Sequence, residues 1–346
     1  MSISTLENMP VHGGQIHQVM QSFPEAPRPY VDLSTGISPY AYPLDTLDLS
    51  GWTRLPEAGE ELSLRQTASR AYGVPIPDMV VAGPGTQMLI ALLPQVLNVR
   101  TVTIFGPTYS GHETAWRNAG ADVDVVMDLA AFEFALAESS GRACILCNPN
   151  NPDGRYFPIQ TLERFAKCCA AAGNVLIVDE AFADFEPDSA VSLLPAKGLI
   201  ILRSFGKSYG LPGLRLGFLI SSDEVTNRMQ ALMGDWAVSV PAITAGCQAL
   251  ADQTWLKSIG RQLEIDSLRL RTILGKGGLD IVGHTRLFCL AGTLYALDLW
   301  KFLCARGILT RAFLQRPTEL RFGSPRNETE WQRLESALLE WNDLFR

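Results

Sequence analysis

The stretch ACILCNPNNPDGRYFPIQTLERFAKCCAAAGNVLIVDEAF, residues 143–182, decides the fold. Its first five residues form an apolar run too short for a helix. Residues 158–172 then repeat apolar side chains at helical spacing, and 174–179 form a second short apolar run. Two such runs flanking an amphipathic helix read as a βαβ unit, in which the strands are parallel and buried on both faces. The same alternation extends outward in both directions. Apolar runs at 79–82, 101–105, 122–126, 199–204 and 214–220 are separated in most cases by helical patterns such as 86–97, 111–119 and 130–139. Seven runs in this order predict an α/β fold with a mostly parallel seven-stranded sheet in a large domain.

Beyond 240 the pattern changes. Residues 242–275 read as mostly long helix, followed by shorter apolar runs at 287–290, 293–297 and 319–322 and a closing amphipathic segment, 328–345. This predicts a smaller α+β domain. The expected organisation is an N-terminal arm over 1–35 that packs with the small domain, a large domain over 36–240 and the small domain over 241–346. The arm carries Pro10, Pro24, Pro27 and Pro29 without clear periodicity, and so reads as extended.

Composition narrows the function. Of the 346 residues 47% are hydrophobic, and 29 Lys and Arg against 36 Asp and Glu leave a net charge of −7. Without a basic run to offset that charge, the chain is ill suited to nucleic acid or an anionic membrane surface. No stretch approaches the roughly 18 apolar residues of a membrane span. The opening MSISTLENMPVHGGQ lacks the apolar core of a signal peptide. Seven cysteines, two of them adjacent at 168 and 169, point to reduced thiols and a cytoplasmic location. Cys144 and Cys147 form a C-x-x-C inside an apolar run, with no second pair and no nearby histidine, which reads as a core strand and not as a metal site.

In an open parallel sheet, ligands sit beyond the carboxyl ends of the strands. Four loops there carry chemistry. Gly83-Pro84-Gly85-Thr86-Gln87 joins a strand to a helix start, where free N–H groups and the helix dipole suit an anion; a plain turn with a helix cap reads the same way. Asn148 to Gly154 is a rigid turn presenting amides at the sheet edge. Asp179 ends a strongly apolar strand, a costly place for a carboxylate unless it caps a helix or meets a cation. Ser204-Phe205-Gly206-Lys207-Ser208 allows three readings. A P-loop fails because its first glycine would fall on Ile201. A penicillin-binding signature lacks its K-T-G and S-D-N partners anywhere in the chain. A lysine set for Schiff-base chemistry, with Ser204 beside a phosphate and Arg215 eight residues on, remains.

In order and spacing this set resembles the fold-type I pyridoxal-phosphate enzymes of the class I and II aminotransferase family, in the branch that holds histidinol-phosphate aminotransferases. The motifs are N-P-N-N-P-D-G, D-E-A-F and S-F-G-K-S-Y-G-L-P-G-L-R-L-G-F, and the likeness runs from His12 to the C-terminus. Within that branch, His12-Gly13-Gly14, the phrase Asp32 to Pro39 and Arg54-Leu55-Pro56-Glu57 resemble threonine-phosphate decarboxylases of cobalamin synthesis. The resemblance implies pyridoxal 5'-phosphate as cofactor. It implies Lys207 as the lysine joined to the cofactor, Asp179 on the pyridine nitrogen, Asn151 on the 3'-oxygen and Tyr109 stacked on the ring. Gly85, Thr86, Ser204 and Arg215 would hold the cofactor phosphate. Toward the substrate it implies Arg321 on the carboxylate, with Arg311, His12, Gly36 and Ile37 nearby, and a homodimer with active sites near its interface.

Two departures stand out. Histidinol-phosphate aminotransferases usually read D-E-A-Y, with the tyrosine hydroxyl on the 3'-oxygen, whereas this chain has Phe182. Leu55 replaces a tyrosine that in such enzymes reaches the partner's cofactor. His17, His112 and His284 show no partner pattern and read as structural. The implied activity is decarboxylation of L-threonine O-3-phosphate. Transamination of histidinol phosphate with 2-oxoglutarate is the alternative, and a catalytically silent pyridoxal-phosphate-binding protein is a third reading.

Overall fold

Strands whose side chains are buried on both faces need no alternation, and those at 143–147, 199–204 and 217–220 show none. A computed structural model describes residues 9–10, 12–44, 49–139 and 141–344; positions 1–8 and 11 of the expected arm lie outside the described residues. The strands in chain order are β1 (Val31–Leu33), β2 (Val80–Gly83), β3 (Thr101–Phe105), β4 (Asp122–Val126), β5 (Ala143–Cys147), β6 (Val175–Asp179), β7 (Leu199–Ser204) and β8 (Gly217–Ile220), then β9 (Asp280–His284), β10 (Phe288–Gly292), β11 (Ile308–Ala312) and β12 (Glu319–Gly323).

The chain divides into two compact units, one comprising 1–40 and 258–346, the other 41–257. The second holds the seven-stranded sheet, in the order β2-β8-β7-β6-β5-β3-β4. Only β8 runs against the rest. Leu176 and Val178 of β6 enter one apolar core and Ile177 the other, and β7 divides the same way. The sheet ends at β4, where Asp122 and Asp124 are exposed, as suits an edge strand.

In the other unit the sheet order is β1-β11-β12-β10-β9, with β1 parallel to β11 and the remaining pairs antiparallel. Trp300, Trp331 and Phe322 fill its core together with Leu33 from the N-terminal segment. Among the described residues no helix is long and apolar enough to cross a membrane.

Several local expectations are corrected. The first 35 residues are not simply extended: helix Ile16–Ser22 buries Val19, and β1 follows. The run at 214–220 yields a strand only from Gly217, because Pro212–Leu214 is a 3-10 turn and Arg215 takes a left-handed backbone at φ 52°. The long helix expected over 242–275 is two, Val240–Ala251 and Gln253–Lys276. They part at Asp252, whose Oδ1 accepts from Trp255 N at 2.9 Å. The division between units falls at 257/258 and not near 240. Helix Val240–Ala251 packs on helix Ala58–Tyr72, where Gly246 lets Leu64 and Leu216 close in.

Candidate functional site

Because six strands of the large sheet share one direction, the loops after β2, β3, β5, β6 and β7 emerge along one edge, where β8 enters. Gly83, Gly217 and Ser204 form a single row across β2, β8 and β7. Gly217 brings this row close to the helix Thr86–Leu97: a Cβ there would lie 2.5 Å from the Thr86 backbone nitrogen. Gly85 caps that helix at φ 80°, and a Cβ on it would stand 2.6 Å from Arg215 Nη2. The result is a cradle with a helix start, the Ser204 hydroxyl and a guanidinium, in a space that side chains would fill. It suits a phosphate, whose charge the dipole and Arg215 both favour. Ser208 Oγ, fully buried and without a hydrogen-bond partner among the described residues, lies one residue past Lys207.

Gly217→Ala is expected to destabilise the protein by about 1–3 kcal/mol, since the new methyl meets backbone. It is also expected to weaken phosphate capture tenfold or more. Thermal denaturation and titration with pyridoxal phosphate, fitted separately, check the two effects.

Two strands away, Asp179 closes β6 with its side chain buried. Its Oδ1 accepts from Ala181 N at 3.0 Å, and its Oδ2 meets His112 Nε2 at 2.8 Å. Burial alone would raise the Asp179 pKa. The His112 hydrogen bond, the Lys207 charge and the Ala181 N–H outweigh it and hold the carboxyl below its usual value. This ionised carboxylate is the right partner for a protonated pyridine nitrogen. His112 is therefore more than structural. It lies on the buried face of helix Ser110–Asn118, four residues before Trp116 and three after Tyr109. The i, i+4 spacing with Trp116 was the available sign that it points inward.

Tyr109 opens the same helix, and its hydroxyl donates to Gln87 Oε1 at 2.6 Å. Gly111 makes room for the ring, as a Cβ there would fall 2.3 Å from Tyr109 Cε1. Burial raises the Tyr109 pKa, with Asp179 adding to the shift, so the phenol stays neutral. In the loop after β5, two asparagines brace the turn. Asn148 exchanges hydrogen bonds with the Phe157 backbone, and Asn150 donates to Pro107 O and accepts from Thr108 Oγ1. Asn151 sits half-buried at the tip. Lys207, on the short helix after β7, places Nζ 4.4 Å above the Phe182 ring centre.

Cys147, His112 and Asp179 bring a sulfur, a nitrogen and an oxygen within 4.8 Å of one another. The cluster is poorly suited to a metal. Burial pushes the Cys147 thiol well up, and Lys207 places positive charge beside it, which opposes a further cation there. Cys144 lies buried within β5, as expected of a core strand. Taken together, an anion cradle, an ionised strand-end carboxylate, an aromatic at the helix start and a lysine amine fit the pyridoxal phosphate that the sequence resemblance implies.

The remaining candidates lie in the other unit. Arg311 of β11 and Arg321 of β12 are register partners on neighbouring antiparallel strands. Like charges directly opposite destabilise a sheet, and burial adds to the penalty. Burial first, and Arg311 second, push the Arg321 guanidinium down to about 9; burial likewise lowers Arg311. An anionic ligand relieves both.

The N-terminal segment is fastened beside this pair. Arg321 Nη2 donates to Ser34 O at 3.0 Å and Arg311 Nη1 to Pro10 O at 2.6 Å. Ser34 N and Oγ both donate to Asp32 Oδ1, and Gly14 N donates to Ser34 Oγ at 2.8 Å. A Cβ on Gly13 would lie 2.4 Å from Ser34 O, and one on Gly323 would lie 2.3 Å from Thr35 O. Exposed His12, buried Gly36 and half-buried Ile37 belong to these same two segments.

Comparison with known proteins adds a family and relatives. The family model "Aminotransferase class I and II" matches residues 45–334. The chain is 33% identical to a threonine-phosphate decarboxylase of Pseudomonas aeruginosa, over 96% of this chain and 98% of the relative. It is 38% identical to one from a Sinorhizobium species, over 95% and 97%. Among solved structures, a histidinol-phosphate aminotransferase of Sinorhizobium meliloti in complex with pyridoxal-5'-phosphate superposes with a TM-score of 0.83. It has 20% identity and covers 100% of this chain and 98% of that one.

Proposed function

The chain belongs to the aminotransferase class I and II family, and we propose that within it this enzyme uses pyridoxal 5'-phosphate to decarboxylate L-threonine O-3-phosphate. The product is (R)-1-amino-2-propanol O-2-phosphate, a precursor in cobalamin synthesis. The observation that carries this reading is the register pair Arg311 and Arg321. Threonine phosphate brings a carboxylate and a phosphate on one small molecule, an anion for each guanidinium. Histidinol phosphate has no carboxylate, and its acceptor 2-oxoglutarate has two carboxylates but no phosphate. The names of the two decarboxylase relatives support the same choice.

When bound, the cofactor would supply an electron sink for electrons left at Cα. Asp179, held in place by His112, would keep the ring nitrogen protonated. Tyr109 would cover the ring and Asn151 would donate to the 3'-oxygen. Arg311 and Arg321 would hold the substrate's phosphate and carboxylate, and the orientation they impose would choose whether the Cα proton or CO₂ is lost, a positioning effect worth several kcal/mol. Lys207 Nζ would supply the proton that Cα takes up after CO₂ is lost. In this reading the protein is a cytoplasmic homodimer.

The test is to incubate the cofactor-loaded protein with L-threonine O-3-phosphate, without any keto acid, and to measure CO₂. Stoichiometric CO₂ and aminopropanol phosphate over many turnovers are expected. Amino transfer that appears only with histidinol phosphate and 2-oxoglutarate, without CO₂, would move the assignment to aminotransferase.

A further inference from the structure

We propose that Phe182 is a positioning residue for Lys207, its ring face holding the positive charge of Nζ in place beside Asp179. The contact arises from the topology. β6 and β7 are neighbouring parallel strands with Asp179 level with Leu202, so the residues just past their ends meet. The Ala181 N–H is tied back to Asp179 Oδ1, which turns the chain over the end of β6. Phe182 then opens a 3-10 helix, Ala183–Phe185, with its ring buried. Lys207 projects from the short helix after β7 and brings Nζ to 4.4 Å from the ring centre.

The chemistry of the partner matters. A carboxylate at 182 would bind the ammonium as an ion pair. A hydroxyl would offer it a lone pair and a competing proton. An aromatic face attracts the cation through its quadrupole and takes no N–H from it. The nitrogen stays charged and located while its hydrogens remain available to substrate and cofactor. The other titratable groups facing it are Asp179 at the end of β6, with His112 behind, and Cys147 at the end of β5. Tyr109 faces both of these and feels Arg215 in turn. Asp179 is an anion beside the nitrogen, and the ring supplies an uncharged attraction that does not compete for the pyridine nitrogen.

The inference rests on the cofactor and not on the choice between decarboxylation and transamination. The experiment replaces Phe182 with 4-fluoro-, 3,5-difluoro- and 3,4,5-trifluorophenylalanine, which withdraw electron density from the ring face while nearly preserving its shape. The cofactor-loaded protein is titrated with base while its visible absorbance is followed, because the absorbance reports protonation of the lysine nitrogen joined to the cofactor. The apparent pKa is expected to fall stepwise along the series, by about one unit in all, a tenfold change in the equilibrium. Phe182→Leu is expected to shift it by a similar amount. A pKa that stays fixed along the fluorinated series, or moves without following ring electron density, overturns the inference even if Phe182→Leu perturbs the site. A protein that gains no visible absorbance with pyridoxal phosphate overturns the cofactor assignment and the inference together. Normal titration behaviour with no CO₂ release overturns only the decarboxylase reading.

Discussion

Lys207→Ala is expected to abolish turnover, with a loss of roughly 10⁴-fold or more, the scale found when a nucleophile or its base is deleted from a group that acts as a unit. Two functions go with the amine: covalent capture of the cofactor and delivery of a proton to Cα. Alanine supplies neither, and Lys197, between β6 and β7, lies just before β7 and not past its end. The cradle of Gly85, Thr86, Ser204 and Arg215 is untouched, so the variant is expected still to bind the cofactor, but without a bond that borohydride can fix. Reduction followed by mass analysis of the intact chain checks this directly. A cofactor-sized mass increase on the variant, or retained activity, would refute the role of Lys207.

Asp179→Asn is expected to lower kcat by about 10²–10³, the range for removing one charged group aimed at a reacting system. The amide still accepts from Ala181 N and can still meet His112 Nε2. Fold stability should therefore change by no more than about 1 kcal/mol. What is lost is the charge that keeps the pyridine nitrogen protonated. The pH dependence has a definite sign. The Asp179 pKa lies below its ordinary value, so its contribution is present above the usual carboxylate range and fades only as pH falls through the depressed value. Wild-type activity should thus keep this acid limb below the ordinary carboxylate pKa, and the asparagine variant should lack the limb. A variant with normal kcat and an unchanged melting temperature would show that Asp179 does not serve the ring nitrogen.

Much of this site was legible in the chain because strand ends are easy to find. β3, β4, β5 and β7 have the bounds that their apolar runs predict; β3 and β5 stop at Gly106 and Asn148, and β7 starts after Gly198. Lys207, Asp179 and the asparagine loop follow such ends directly. What stayed hidden depends on solvation or on distant partners. β9 is exposed at four of its five residues, so no apolar run marks it. Helix Ile16–Ser22 buries only Val19 and leaves no stripe. His112 finds its partner 67 residues away, which local spacing does not encode. The opposition of Arg311 and Arg321 needs the β11–β12 register, and that register is set by strand pairing.

The unit that carries those arginines is assembled from the two ends of the sequence. Val31 pairs with Ile308, and the core that surrounds Leu33 includes Trp300, Phe322 and Trp331. On the ribosome the first segment therefore emerges long before the strands and helices it needs. All of 41–257 is made while Val19, Val31 and Leu33 have nowhere to be buried. A chain made past 257 but not yet to β11 holds every residue of one unit and, for the other, a β1 whose partner strand is still missing. Ser34 can therefore meet Arg321 only once β12 has been made, late in translation.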